Sequence, residues 1–142
     1  MFEYLASVTY VFMWAICGMA FWLGDRPLKA TAVVSIFFWS ITPLVSHWWQ
    51  GWNMPVIVVD LNATLALAWI SLRWRRLWST VMVALSFLQV LTPFVAYPAH
   101  FHRFYWQSAY NVLGYLLLAV MVVATVLTVR ARGRVDEGAV RS

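Results

Sequence analysis

Five acidic residues are present, and four of them (Glu3, Asp25, Asp136, Glu137) lie outside or at the edges of the apolar runs; Asp60 alone stands well inside one. An ionised carboxylate in hydrocarbon is costly, so Asp60 must face a partner, water or a proton, and an acid in that position is a functional hypothesis by default. It falls five residues past Pro55, about 7–8 Å below the boundary at the helical rise per residue. Thr64 lies one turn further on the same face, whereas Asn62 points away. Other polar groups belong at a similar depth: Thr42, Ser46 and His47 on the second run, Gln89, Thr92 and Tyr97 on the fourth, Tyr110, Asn111 and Tyr115 on the fifth, and His100, His102 and Arg103 in the loop between those two. The candidate cluster is Asp60, Thr64, His47, Gln89, Thr92, Arg103 and Asn111. Its chemistry would be the holding or passing of a proton or a small cation. The plainer reading is that Asp60 pairs with Arg103 or a histidine and ties its helix to the loop.

His47, His100 and His102, with Asp60, also have the ligand types of a copper or zinc site, and His47 and His100 sit at comparable depths for haem ligation. Histidines at a membrane boundary are more often interface residues, and the sequence names no cofactor. It contains no His-Glu-x-x-His, no Gly-x-Ser-x-Gly, no glycine-rich phosphate loop and no carboxylate pair. The expectation is therefore a protein that is not an enzyme.

The elements that must position these residues are five apolar runs, at 4–23, 30–49, 55–72, 77–97 and 108–129. Each is about 20 residues long, enough to cross a hydrocarbon core of about 30 Å. With 63% apolar and 11% charged residues, the chain could not fold in water without large exposed apolar patches, but it suits a bilayer. All but one of the 10 Lys and Arg residues occupy alternate gaps: Arg26 and Lys29, then Arg73, Arg75 and Arg76, then Arg130, Arg132, Arg134 and Arg141. Arg103 is the exception. Basic residues are retained on the cytoplasmic side, so the expected fold is an all-α bundle of five transmembrane helices, N-terminus out and C-terminus in. Residues 1–129 form one transmembrane domain and 130–142 a basic, polar cytoplasmic tail, either disordered or continuing the fifth helix. The net charge of +5 is explained by topology and by anionic lipid, so no nucleic-acid partner is expected.

Tryptophan is concentrated near the run ends, at Trp22, Trp48, Trp49, Trp52, Trp74, Trp78 and Trp106, as in an aromatic belt. Trp14, Trp39 and Trp69 fall mid-run and are expected to pack between helices. Pro43 and Pro93, each preceded by threonine, are expected to kink the second and fourth helices and free the carbonyls of Trp39 and Gln89. An offset of fifty residues superposes Arg26 on Arg76, Val33 on Val83, Phe37 on Phe87, Thr42-Pro43 on Thr92-Pro93 and Val45 on Val95. Such matches would make helices 1–2 and 3–4 two parallel copies of one hairpin, with a fifth helix added. Cys17 is the only cysteine, so no intrachain disulfide can form.

The run Gly24-Asp25-Arg26-Pro27-Leu28-Lys29-Ala30, then Ile41-Thr42-Pro43-Leu44-Val45, Val59-Asp60-Leu61 and Leu65-Ala66-Leu67-Ala68, and the basic turn from Arg73 to Trp78 resemble a group of short, Trp- and Ala-rich polytopic inner-membrane proteins of alphaproteobacteria. The resemblance covers roughly residues 24–95 and the start of the fifth helix. It implies a bacterial inner-membrane location and carries over no site. Two functions follow as expectations. One is a non-enzymatic accessory or scaffold subunit of a larger membrane assembly, whose partners are lipid and other membrane subunits or further copies of itself. The alternative is a small oligomeric transporter or channel that uses Asp60 as a proton or cation site.

Overall fold

The computed structural model describes residues 2–47, 52–96 and 103–140. Five helices follow one another: α1 (Phe2–Leu23), α2 (Arg26–Val45), α3 (Met54–Trp74), α4 (Leu77–Ala96) and α5 (Arg103–Val140). α2, α3, α4 and the Gln107–Val135 stretch of α5 are long and apolar enough to cross a membrane. α1 has 22 residues, and its Val8–Leu23 stretch is a shorter apolar helix.

The turns at the arginine-rich end are tighter than the sequence implies. Only Gly24 and Asp25 separate α1 from α2, and only Arg75 and Arg76 separate α3 from α4. Asp25 caps α2, its Oδ1 accepting from the Leu28 amide at 3.3 Å, and Pro27 fits the first turn because no helical acceptor exists there for the amide it lacks. Arg75 ends α3 in the left-handed region at φ 48° and donates its amide to the Ser71 carbonyl. That conformation closes the helix at some cost for a residue with a side chain.

Consecutive helices pack as antiparallel neighbours, α5 closes the ring against α1, and α2 also approaches α5. Methionines and small residues fill the interior: Met13, Cys17 and Ala20 from α1, Leu28 and Ala32 from α2, Met82 from α4, and Leu117, Leu118, Met121 and Ala124 from α5. The Cys17 thiol donates to the Met121 sulfur at 3.6 Å. Unbranched methionines adapt to the irregular gaps such a ring leaves.

At the arginine-rich end the turns are tied together. Arg132 donates through its two Nη atoms to the carbonyls of Leu23 and Gly24, both at 3.0 Å, satisfying the last carbonyl of α1 and the first of the turn. Asp25 pairs with Arg76 at 3.6 Å. Arg132 reaches that turn because α5 stays helical to Val140 and does not end near residue 129. Its 38 residues extend for about 57 Å, well beyond the hydrocarbon core.

Pro43 and Pro93 lie inside α2 and α4, in the last turn, two and three residues before the ends at Val45 and Ala96. Two expectations need correction. Arg103 begins α5 and is not a loop residue. Of the mid-run tryptophans only Trp39 packs against the core, whereas Trp14 and Trp69 leave 52% and 62% of their surface exposed.

Candidate functional site

Three interior helix faces bring polar residues together by simple helical spacing. On α3, Ile57, Asp60, Thr64, Leu67 and Ile70 are buried. On α4 the buried face is Ser79, Met82, Ser86, Gln89 and Val90. Tyr110 on α5 lies one turn from Gly114, which sits against the Gln89 amide and the Trp39 indole, and the same stripe continues to Leu117 and Met121. Residues three, four or seven apart share one face of a helix, so each polar group enters the ring beside an apolar one.

The polar groups satisfy one another in rungs. Near the arginine-rich end Ser79 donates to the Ser71 hydroxyl at 3.1 Å. One level further in, the Thr64 and Ser86 hydroxyls are 2.7 Å apart, and Thr64 also donates to the Asp60 carbonyl at 2.8 Å. At the last level Tyr110 donates its hydroxyl to the Asp60 carboxylate, and Gln89 Nε2 donates to the Tyr110 carbonyl at 3.4 Å. Asp60 retains 9% of its surface exposed. Groups that would be expensive to leave unpaired in hydrocarbon thus hold α3, α4 and α5 together.

Beside this pair is a narrow cavity of about 20 Å3, lined by Ser35 and Trp39 of α2, Asp60 of α3, Ser86 and Gln89 of α4, and Leu118 of α5, among others. That volume admits one water molecule; most of the lining is apolar, and Ser35, Asp60, Ser86 and Gln89 are the polar groups that could partner a water there. Neither Pro43 nor Pro93 contributes to the lining.

Of the sequence candidates, Asp60, Thr64 and Gln89 meet here. Thr92 does not join them: its hydroxyl bonds back to the Leu88 carbonyl at 2.8 Å. His47 is exposed, and its backbone amide donates to the Asn53 side chain at 3.2 Å. Asn111 is exposed beside Tyr110, because consecutive helical residues diverge by about 100°. His100, His102 and the Arg103 side chain lie outside the described residues, so the loop pairing and the histidine metal or haem site are not addressed; among the described residues no group of three metal-ligating side chains converges. Tyr110, placed at this depth by the sequence but left out of the candidate cluster, belongs to the site, and so do Ser35 and Ser86, which depth did not single out. The spacing of Ser79, Ser86 and Gln89, seven residues and then three, was the available signal for α4.

No protein-family model, curated protein or solved structure matches the chain. What the bundle does must be read from its own surfaces.

The outward face of α1 is one of them. Val11, Trp14, Ala15, Gly18 and Trp22 are all exposed, and at 100° per residue they fall on one side of the helix, opposite the buried Met13, Cys17 and Ala20. An added Cβ at Gly18 would meet nothing within 4 Å. Trp14 is mid-helix, and its indole N–H finds no acceptor among the described residues. A tryptophan normally sits at the boundary, where its N–H stays wet.

Proposed function

We propose that the chain is a non-enzymatic accessory or scaffold subunit of a larger assembly in a bacterial inner membrane. The observation that carries this reading is the α1 outward face. An exposed indole at mid-membrane has a donor that lipid cannot satisfy, and Ala15 and Gly18 beside it leave room for a second helix to approach closely. The small interior cavity supports the same reading, because its volume of about 20 Å3 admits one water and no larger solute. The chain crosses five times, with the arginine-rich end cytoplasmic, as the basic residues favour. The matched prolines support two parallel copies of one hairpin: Thr42 bonds the Phe38 carbonyl and Thr92 the Leu88 carbonyl, each four residues back.

The test is purification of the tagged protein from its native membrane in mild detergent, followed by mass spectrometry of what accompanies it. A stoichiometric membrane partner that is lost from the Trp14→Ala variant is the expected result. Emergence of both proteins alone would sink the scaffold reading.

A second reading rests on a separate observation, the Asp60–Tyr110 pair beside a water-sized cavity that Ser35, Ser86 and Gln89 also line. It makes Asp60 a proton site in a small oligomeric transporter or channel. Asp60→Asn would then abolish proton-coupled uptake in reconstituted vesicles at unchanged protein level. Equal proton flux in the variant and the parent would remove this alternative.

A further inference from the structure

A second concavity lies on the outside of the ring. It is a groove of about 450 Å3 whose lining includes Phe21 of α1, Lys29, Ala30 and Val33 of α2, and Ala66 and Trp69 of α3. Ala30 and Ala66 keep the floor low, while Phe21, Val33 and Trp69 raise its walls. The volume lies in the range of small-molecule sites. Apart from Lys29 the lining is wholly apolar in side-chain type. Lys29 belongs to the first turn of α2 at the arginine-rich end, and its ammonium lies 5.9 Å from the centroid of the Phe21 ring. An ammonium over an aromatic face is held in place by the ring quadrupole, so here a cation is positioned at the groove's mouth, where the headgroups of a surrounding bilayer would lie.

We propose that this groove is a binding site for one anionic phospholipid, with an acyl chain along the apolar floor and the headgroup phosphate on Lys29. The charge selects the occupant. A neutral apolar segment of a partner would gain nothing from an ammonium at the end of its path, and a zwitterionic lipid would gain less than one with net negative charge. The basic residues on the neighbouring turns, Arg26 and Arg73, add to the attraction at the same level. The inference rests on α2 and α3 lying in the bilayer and is independent of the scaffold reading.

The experiment is a titration of the purified protein with phosphatidylglycerol or phosphatidylcholine of identical acyl chains, with bound lipid counted by native mass spectrometry. The parent protein is expected to hold one phosphatidylglycerol in preference to phosphatidylcholine. Lys29→Gln, an exposed substitution that leaves the fold alone, should weaken phosphatidylglycerol about fivefold, the contribution of roughly one basic residue at an anionic surface, and leave phosphatidylcholine unchanged. Ala66→Phe should weaken both lipids by filling the floor, whereas Val123→Phe, on the exposed side of α5, should weaken neither. Equal affinity of the parent for the two lipids, or undiminished phosphatidylglycerol binding by Lys29→Gln, would overturn the proposal. Ala66→Phe and Val123→Phe behaving alike would do the same, since binding would then be general to the apolar surface. The co-purification of a protein partner bears on the scaffold reading alone, so the two can fail separately.

Discussion

Tyr110 of α5 donates its hydroxyl to the Asp60 carboxylate of α3, although α4 stands between those two helices and their backbones do not approach each other. The phenol spans the interior of the ring. It therefore links two helices whose backbones stay apart among the described residues, beside a water-sized cavity that Asp60 lines.

Removal of that link leaves a buried carboxylate without its donor. Hydrogen bonds between membrane helices contribute modestly, but the loss of a charged group's partner falls at the upper end of their range. Tyr110→Phe should cost about 1–2 kcal/mol, read as lowered thermal stability in detergent. Asp60→Asn should cost less, because the amide oxygen still accepts from Tyr110. The double variant should be no less stable than Tyr110→Phe alone, since the two changes remove one shared interaction. Additive losses would show that the pair is not coupled.

Gly24 is required for steric reasons. A Cβ there would lie 2.2 Å from the Ala20 carbonyl oxygen, which is backbone and cannot move aside. Gly24→Ala must therefore disturb the end of α1 and the two carbonyls that Arg132 holds. The expected loss is about 1–3 kcal/mol, as for other overpacking changes, measured by the same melt. Gly133→Ala, with nothing within 4 Å, is the matched control and should not lower stability.

Gly18 is the converse case. Open space around its Cβ position means that Gly18→Leu adds helix propensity without a clash inside the chain. Thermal stability should stay level or rise, while recovery of a membrane partner falls because the close approach over Ala15 and Gly18 is blocked. A variant that loses stability and partner together would mean that this face already packs within the chain.

The helices were legible because hydrocarbon demands about twenty apolar residues per crossing and the arginines punctuate them. The interior of the site was only half legible. Depth along the chain gives a residue's height in the membrane, so it grouped Asp60, Thr64 and Gln89 with Tyr110, Asn111 and Thr92. It does not give the direction in which each points, and that separates Tyr110, facing Asp60, from Asn111 beside it. Thr92 was misassigned because a helical threonine can satisfy itself on the carbonyl four residues back. Of the two readings left open for residues 130–140, the continued helix is the one seen. The change from apolar to basic sequence marks the membrane boundary without marking the end of a helix whose Arg132 is held by the α1–α2 turn.

Cys17 offers a reporter of the folded interior. It is fully buried with its thiol on Met121, and thiol chemistry needs an accessible thiolate. In the folded protein a maleimide should label it far more slowly than after denaturation, and labelling should accelerate in Gly24→Ala as that variant opens. Rapid labelling of the native parent would mean that the α1–α5 contact is not maintained in detergent.

The orientation of the bundle can be decided with reporter fusions, and the structure limits the patterns they can give. Arg132 on the α1–α2 turn and Asp25 on Arg76 hold the α1–α2 turn, the α3–α4 turn and the extension of α5 at one end. Reporters at Asp25, Trp74 and Gly138 must therefore agree with one another. The clustering of Arg26, Lys29, Arg73, Arg75, Arg76, Arg130, Arg132 and Arg134 at that end predicts that all three read as cytoplasmic and that fusions at Asn53 and Phe101 read as periplasmic. Complete inversion would leave the bundle intact but reverse its orientation, placing the Asp60–Tyr110 pair near the cytoplasmic surface. A split among the first three would contradict the five-span bundle, because the same contacts cannot form across a membrane.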